Sequence, residues 1–372
     1  MKAITNIFNN IQANSNNHSG LEATFLSEEL GLDFIGRKTK QTKDNNTYKD
    51  INNINIEDYK VLFLQLSQPN FFGGVLGDDT IEKIEKISQF KGELYILCSD
   101  PRIKPINYAK VVFERFGVLQ DCIQNWDNLL TNCRFVFPGQ NLKRFFNSYD
   151  TLYNDDKVIK YDYFKGIFKK IFKYDNASYH QQLQKNHYLI ERKLYNVVYY
   201  GDRRASYRQK LVKQYMPNNE DNLLIGFKHS IKDFKVPFIK KLKHADLLDK
   251  LKQCRVSLIL ADEEHDRNVI TFRFYETLGS SCLAAIPLHY DPNKNLIQNK
   301  ELKDLLYVKN QDDVNRIVEN YSHRLVTLQN LELLRILDKI ENPSKVFDFD
   351  INRINEVIRE EKFDNEQREL WQ

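Results

Sequence analysis

Neither a Walker loop nor a GxGxxG turn occurs anywhere in this chain of 372 residues, so the two commonest glycine-built phosphate cradles are absent. Cysteine is sparse: Cys98, Cys122, Cys133, Cys254 and Cys282 are scattered without a CxxC pair, and no histidine cluster accompanies them. That pattern excludes a zinc centre and a disulfide frame, and reads as the reduced, mostly buried thiols of a cytosolic protein. No apolar run reaches the roughly 18 residues a membrane helix needs. The asparagine-rich start MKAITNIFNNIQANSNN has no long apolar core, so no secretory leader is expected. A strong excess of either charge is lacking too, with 55 Lys and Arg against 51 Asp and Glu for a net +4. Any affinity for a polyanion must therefore come from a local surface. No internal repeat is visible, and low complexity is confined to the N-terminus and residues 44–55.

What is present is an alternation of strand-like and helix-like segments over a length sufficient for two ordinary cores, the pattern of an α/β protein. In the first half, 61–66 (VLFLQL), 94–98 (LYILC) and 134–137 (RFVF) read as buried parallel strands, and 80–89 carries Ile81, Ile84 and Ile87 at helical spacing. From about 156 to 187 the chain turns aromatic and lysine-rich, and the connection between two domains is expected there. The alternation resumes with strands at 197–200, 223–227, 256–260 and 283–287 and helices at 246–252 and 272–278. Residues 312–334 read as one helix, and the charged tail 351–371 as another.

Two segments carry chemistry. An apolar run ending at Leu260 gives way to Asp262, Glu263 and Glu264, and a helix then carries Arg273 and Glu276 three positions apart, on one face. A strand that ends in acids and feeds such a helix is how an open α/β sheet offers a nucleotide site at its carboxyl edge. The cation suits a diphosphate and the carboxylate a ribose diol, while a surface ion pair between the two is the plainer alternative. In YNVVYYGDRRASYRQ (195–209), Gly201 lets the backbone turn tightly after a β-rich run, and Arg204 and Arg208 lie four apart at a helix start that suits an anion. The plainer reading is a solvated basic helix start.

Two further positions stand at sheet edges. Asp100 follows the strand at 95–98 directly, where a general base is well placed, although an Asp-Pro turn explains it equally. NFFGG (70–74) sets two aromatics and two glycines on a loop after the strand at 61–66. Phe72 there suits the gap left by an extruded base, or else both phenylalanines are core.

With NFFGG, YILCSDPR (95–102), YYGDRRASYRQ and ADEEHDRNVITFRFYET in this order and spacing, the chain resembles the DNA β-glucosyltransferases of T-even-type phages, from near the N-terminus to about residue 290. The resemblance implies a GT-B fold: two Rossmann-like domains facing a central cleft, with the C-terminal helix crossing back to the first. The expected domains are 1–172, joined by about 350–372, for acceptor DNA, and 187–345 for the UDP-sugar. The implied activity is inverting transfer of glucose from UDP-glucose to the hydroxymethyl group of 5-hydroxymethylcytosine in duplex DNA, by a monomer in the cytoplasm of an infected bacterial host.

The same resemblance implies roles for particular residues. Asp100 matches the catalytic aspartate; Arg204, Arg208 and Arg273 match the pyrophosphate ligands; Glu276 matches the ribose ligand. Leu242 falls where a backbone group meets uracil, with Gly201 beside the donor and Asp262 near the sugar. From the residues themselves, Asn70, Phe72, Gly73 and Gly74 are expected on the acceptor side, Arg102 either fixes the loop of Asp100 or meets a phosphate, and Lys104, Lys110, Lys235, Lys240, Lys241 and Lys243 suit phosphate contacts or are simply solvated. His265 replaces a family tyrosine. No strand-end DxD pair is evident, so a divalent metal is possible through Asp262, Glu263 and Glu264 but not required. The family's sugar-site glutamate matches Ser19 without a gap or Glu22 with a short one, and its loss would indicate another sugar, such as arabinose from a UDP-pentose. A non-catalytic DNA-binding protein on the same scaffold is the alternative of another class.

Overall fold

The structure is a computed structural model that describes residues 1–6, 18–36, 48–65, 80–97, 120–137, 157–171, 193–201, 206–226, 234–240, 242, 244–261, 270–339 and 343–347. Two compact units divide them. One takes the chain up to residue 137, then 157–161 and 343–347; the other takes 162–339.

The first unit is built on strands β1 (Lys2–Asn6), β2 (Asp33–Gly36), β3 (Tyr48–Asp50), β4 (Val61–Gln65), β5 (Glu93–Leu97), β6 (Arg134–Phe137) and β7 (Val158–Lys160). All pair in parallel, in the order β3-β2-β1-β4-β5-β6-β7. β4 is buried at every residue and β5 at all but its first, the near-continuous burial that parallel strands show. Helices α1 (His18–Leu30), α2 (Thr80–Ser88) and α3 (Gln120–Asn132) belong to the same unit, and Trp126 of α3 donates from its indole N–H to the carbonyl of Ile84 in α2 at 2.8 Å.

The second unit repeats the scheme with β8 (Tyr195–Gly201), β9 (Leu223–Gly226), β10 (Phe238–Lys240), β11 (Cys254–Leu258), β12 (Leu283–Pro287) and β13 (Tyr307–Val308) in the order β10-β9-β8-β11-β12-β13, again parallel throughout. Its helices are α4 (Tyr163–Ile171), α5 (Ser206–Tyr215), α6 (His244–Leu251), α7 (Phe272–Leu278), α8 (Lys300–Leu306), α9 (Gln311–Glu319) and α10 (His323–Leu337). Buried amides tie the end of α7 to α10: Gln329 donates to the carbonyls of Thr277 and Cys282, and Asn330 to that of Leu278. These contacts satisfy carbonyls that a helix end leaves open.

In both sheets the strand order reverses beside the first strand, between β1 and β4 and between β8 and β11. At such a switch point successive crossovers leave for opposite faces, and the carboxyl strand ends open a crevice where ligands sit.

Four expectations need correction. The division between units falls at 161/162, not near 172, because α4 packs against α7 and α10 of the second unit through Phe164 and Phe168. Residues 157–171, expected as part of a connection, form β7 and α4. The return to the first unit comes at 343–347, ahead of the expected 350: after α11 (Pro343–Val346), Phe347 sets its ring edge-on to Phe63, Tyr95 and Tyr161 at 5.3, 5.8 and 5.4 Å. The tail from 348 onward lies outside the described residues. Finally, 312–334 is two helices, since Asn320 ends α9 and the Ser322 side chain caps α10 by accepting from the Leu325 N–H.

Candidate functional site

Strand β8 ends in Tyr199, Tyr200 and Gly201, and the chain continues beyond the end of β11 through Ile259 and Leu260. Into the notch between these two strand ends α7 delivers Arg273. Its Nε donates to the Tyr200 carbonyl at 2.8 Å, and one terminal nitrogen donates to the Leu260 carbonyl. The guanidinium lies 5.1 Å from the ring centroids of both Tyr199 and Tyr200, within cation–π range. Its remaining nitrogen occupies the space a side chain at 201 would need: a Cβ there would lie 2.4 Å from it. Gly201 also has φ +139, a backbone conformation that side chains disfavour. The expected close approach to Gly201 is therefore made first of all by the protein's own arginine.

Glu276 lies one turn on, along the same face. Every other residue of α7 is buried, and only Arg273 and Glu276 remain half-exposed, as their spacing predicts. The Tyr200 hydroxyl donates to the Glu276 carboxylate at 2.9 Å. Burial and that carboxylate hold the hydroxyl well above the usual phenol range, so it stays protonated and remains a donor. The plain surface ion pair is not what this arginine makes, because two of its five N–H groups go to backbone carbonyls and its charge faces two rings.

The helix is held rigidly from behind. Phe272 packs on Phe164 and Phe168, Tyr275 on Phe168, and the Tyr275 hydroxyl donates to Asp162 at 2.8 Å. The Thr271 N–H donates to the Tyr290 hydroxyl at 2.8 Å, fixing the helix start. Burial pushes the Asp162 carboxyl above its usual range, opposed by Lys165 and Tyr275.

Among the other candidates, Arg208 is half-buried in the first turn of α5, the helix that follows Gly201. Leu242, after β10, packs with Tyr200, Val198 and Ile225 in one apolar cluster, which leaves its backbone as the part suited to a ligand contact. In the first unit Glu22 is buried on α1, and Gln65, the last residue of β4, donates to its carboxylate at 3.1 Å. That bond joins the elements either side of the first sheet's switch point. Ser19 belongs to the same helix, its side chain outside the described residues. Asp100, Arg102, Asn70, Phe72, Gly73, Gly74, Arg204 and Asp262 also lie outside them, as do Glu263, Glu264 and His265. No three His, Cys, Asp or Glu residues gather as a metal site among the described residues, and no helix there is long and apolar enough to cross a membrane.

The sequence reading missed Tyr200 and Gln65 as site residues. Two adjacent aromatics at a strand's carboxyl end, and a polar residue closing an apolar strand, were the available signals. What the arrangement can do is clear chemically: a fixed cation beside a helix start suits a diphosphate, and an oriented carboxylate suits a diol.

No family model matches the chain. It is similar to the DNA beta-glucosyltransferase of Enterobacteria phage T4, at 24% identity over 367 residues, covering 92% of this chain and 95% of that protein. Solved structures of the T4 phage enzyme share the fold: one in complex with UDP and Mn2+ has TM-score 0.65 at 21% identity, and one in complex with its UDP-glucose substrate has TM-score 0.64 at 19%. Each match covers 91% of this chain and 96% of the other. The two parallel α/β units implied by the sequence resemblance are thus the fold found.

Proposed function

We propose that this chain, similar to the phage T4 DNA β-glucosyltransferase over nearly its whole length, is a UDP-sugar-dependent DNA glucosyltransferase acting on 5-hydroxymethylcytosine in duplex DNA with inversion. The observation that carries the reading is the clamped pair at the second switch point, where Arg273 and Glu276 share one helix face and are both fixed by the end of β8.

In this mechanism Arg273, with Arg204 and Arg208, neutralises the diphosphate as it departs. Glu276 takes the ribose hydroxyls, and the backbone at Leu242 meets uracil. Asp100 removes the proton from the hydroxymethyl group, which is a poor nucleophile until then, and the freed oxygen attacks C1 from the face opposite UDP. The C1–oxygen bond to the diphosphate breaks as the new one forms, and UDP leaves with the electron pair. Glu22 serves the sugar. A glutamate retained in that role accords with glucose, since its loss would indicate another sugar. Asn70, Phe72, Gly73, Gly74 and Arg102 meet the DNA, and the chain acts as a monomer within the infected cell.

The test is direct. Purified protein is incubated with hydroxymethylcytosine DNA and a panel of UDP-sugars, and the nucleosides are analysed by mass spectrometry. A hexose adduct from UDP-glucose is expected. A pentose adduct would move the donor assignment, and DNA binding without any adduct would leave a scaffold without catalysis.

A further inference from the structure

We infer that Tyr200 is the positioning residue of the donor site, orienting Glu276 for the ribose through its hydroxyl and Arg273 for the diphosphate through its carbonyl and ring. The inference rests on the donor reading given above and adds to it the residue that sets the geometry of both groups.

Four contacts converge on this one residue, the longest of its hydrogen bonds a 3.4 Å approach of its hydroxyl to the backbone carbonyl of Arg273. Its hydroxyl donates to Glu276 at 2.9 Å, its carbonyl accepts from Arg273 Nε at 2.8 Å, and its ring stands 5.1 Å from the guanidinium carbon. The side chain is itself buried, within the cluster of Val198, Leu223, Ile225 and Leu251 against which Leu242 packs. A residue so enclosed has little rotamer freedom, so it transmits the position of the sheet to the helix face.

The consequence for Glu276 is specific. A carboxylate has two oxygens and about four acceptor positions, and a diol presents two donors side by side. With one oxygen of the carboxylate held by the phenol, its rotation is restricted. Removing the hydroxyl while keeping the ring should therefore reduce discrimination between a ribose diol and a sugar lacking it, and should spare the diphosphate contact. Removing the ring as well should loosen Arg273 and weaken binding of both.

Calorimetry on the full chain with UDP and with 2′,3′-dideoxy-UDP separates these effects. In the wild type UDP binds more tightly. Tyr200→Phe is expected to lower that preference about tenfold, the size of one hydrogen bond to a charged group. Dideoxy-UDP should bind the variant as it binds the wild type. Tyr200→Leu should weaken both nucleotides. In a Glu276→Ala background, Tyr200→Phe should have no further effect on the preference, since the phenol acts through the carboxylate.

Should Tyr200→Phe fail to fold, Tyr200→Leu also lacks the hydroxyl, and it must show the same fall in preference beside its general loss of affinity. Wild-type preference in either variant, with the preference lost in Glu276→Ala, overturns the role of Tyr200 alone. An unchanged preference in Glu276→Ala instead removes Glu276 from the ribose, and with it the donor reading.

Discussion

Gly201 and Gly226 stand opposite each other on the last rung of β8 and β9, and a Cβ on Gly226 would lie 2.3 Å from the Gly201 carbonyl oxygen. Their φ angles are +139 and +147, so neither position suits a side chain even where space exists. The two glycines let adjacent strands end side by side while an arginine presses against one of them. Donor-site geometry is thereby built into the sheet.

Gly201→Ala should therefore do two things at once. Backbone strain of about 1–3 kcal/mol should lower stability in urea unfolding. The added methyl should also displace Arg273 and weaken UDP binding. Gly226→Ala meets backbone rather than a side-chain end, so its stability loss should be at least as large. A Gly201→Ala protein that binds UDP as well as wild type would show that the present position of Arg273 is not the one that meets the nucleotide.

Arg273→Lys should fail nearly as badly as Arg273→Ala. A lysine ammonium lacks the planar fork that holds two carbonyls at once, and concentrates its charge at one point away from the two rings. The expected loss of UDP affinity is about 1.5–3 kcal/mol, the contribution of a charge-assisted contact. Arg208→Ala and Arg204→Ala should lose similar amounts, and titration calorimetry on the set would decide. Unchanged affinity in all of them returns these arginines to surface roles.

These residues show how far the chain could be read unaided. The helix Phe272–Leu278 and the strand Leu283–Pro287 match their expected bounds, because an amphipathic face with two polar positions and a wholly apolar run are local signals. The short strands β3 (YKD) and β10 (FIK) were not legible, since half-polar triplets become strands only by pairing with a neighbour. Arg273 and Glu276 were legible by spacing. Tyr200 was not, because its partner lies 76 residues away, and a β-rich run reports burial without saying which carboxylate a hydroxyl will reach.

Asp162 offers a test in pH. Its carboxyl is held above the usual range by burial, so the native state keeps a proton that the unfolded chain has already released. Between the ordinary carboxylate value near 4 and the raised native one, the native state binds more protons, and stability should rise as pH falls. Asp162→Asn still accepts from the Tyr275 hydroxyl and cannot titrate. Urea unfolding of both proteins from pH 4 to 8 should therefore show wild type gaining on the variant toward low pH. A constant difference would mean that Asp162 is ionised without cost.

Asp100→Ala separates chemistry from binding. Asp100 acts on the acceptor in the proposed mechanism, so transfer should fall by about 10² to 10⁴ while UDP affinity stays near wild type. Rates from radiolabelled UDP-glucose beside calorimetry supply both numbers. An active variant would remove Asp100 from the reaction, and a parallel loss of UDP binding would move it to the donor.

Phe72 poses the question of how the base becomes accessible. A cytosine in duplex DNA must leave the stack before its hydroxymethyl group can meet a base and a sugar donor, and an inserted aromatic can hold the gap. If Phe72 fills that gap, Phe72→Ala should slow transfer to duplex DNA more than to single-stranded DNA, where little unstacking is required. Its melting temperature should change little. A core phenylalanine makes the opposite forecast, a stability loss of about 3–5 kcal/mol with both substrates affected alike. Turnover on the two DNAs and one melting curve distinguish the cases. Equal losses with a large drop in melting temperature would assign NFFGG to packing, and the contact that opens the duplex would then have to come from another segment.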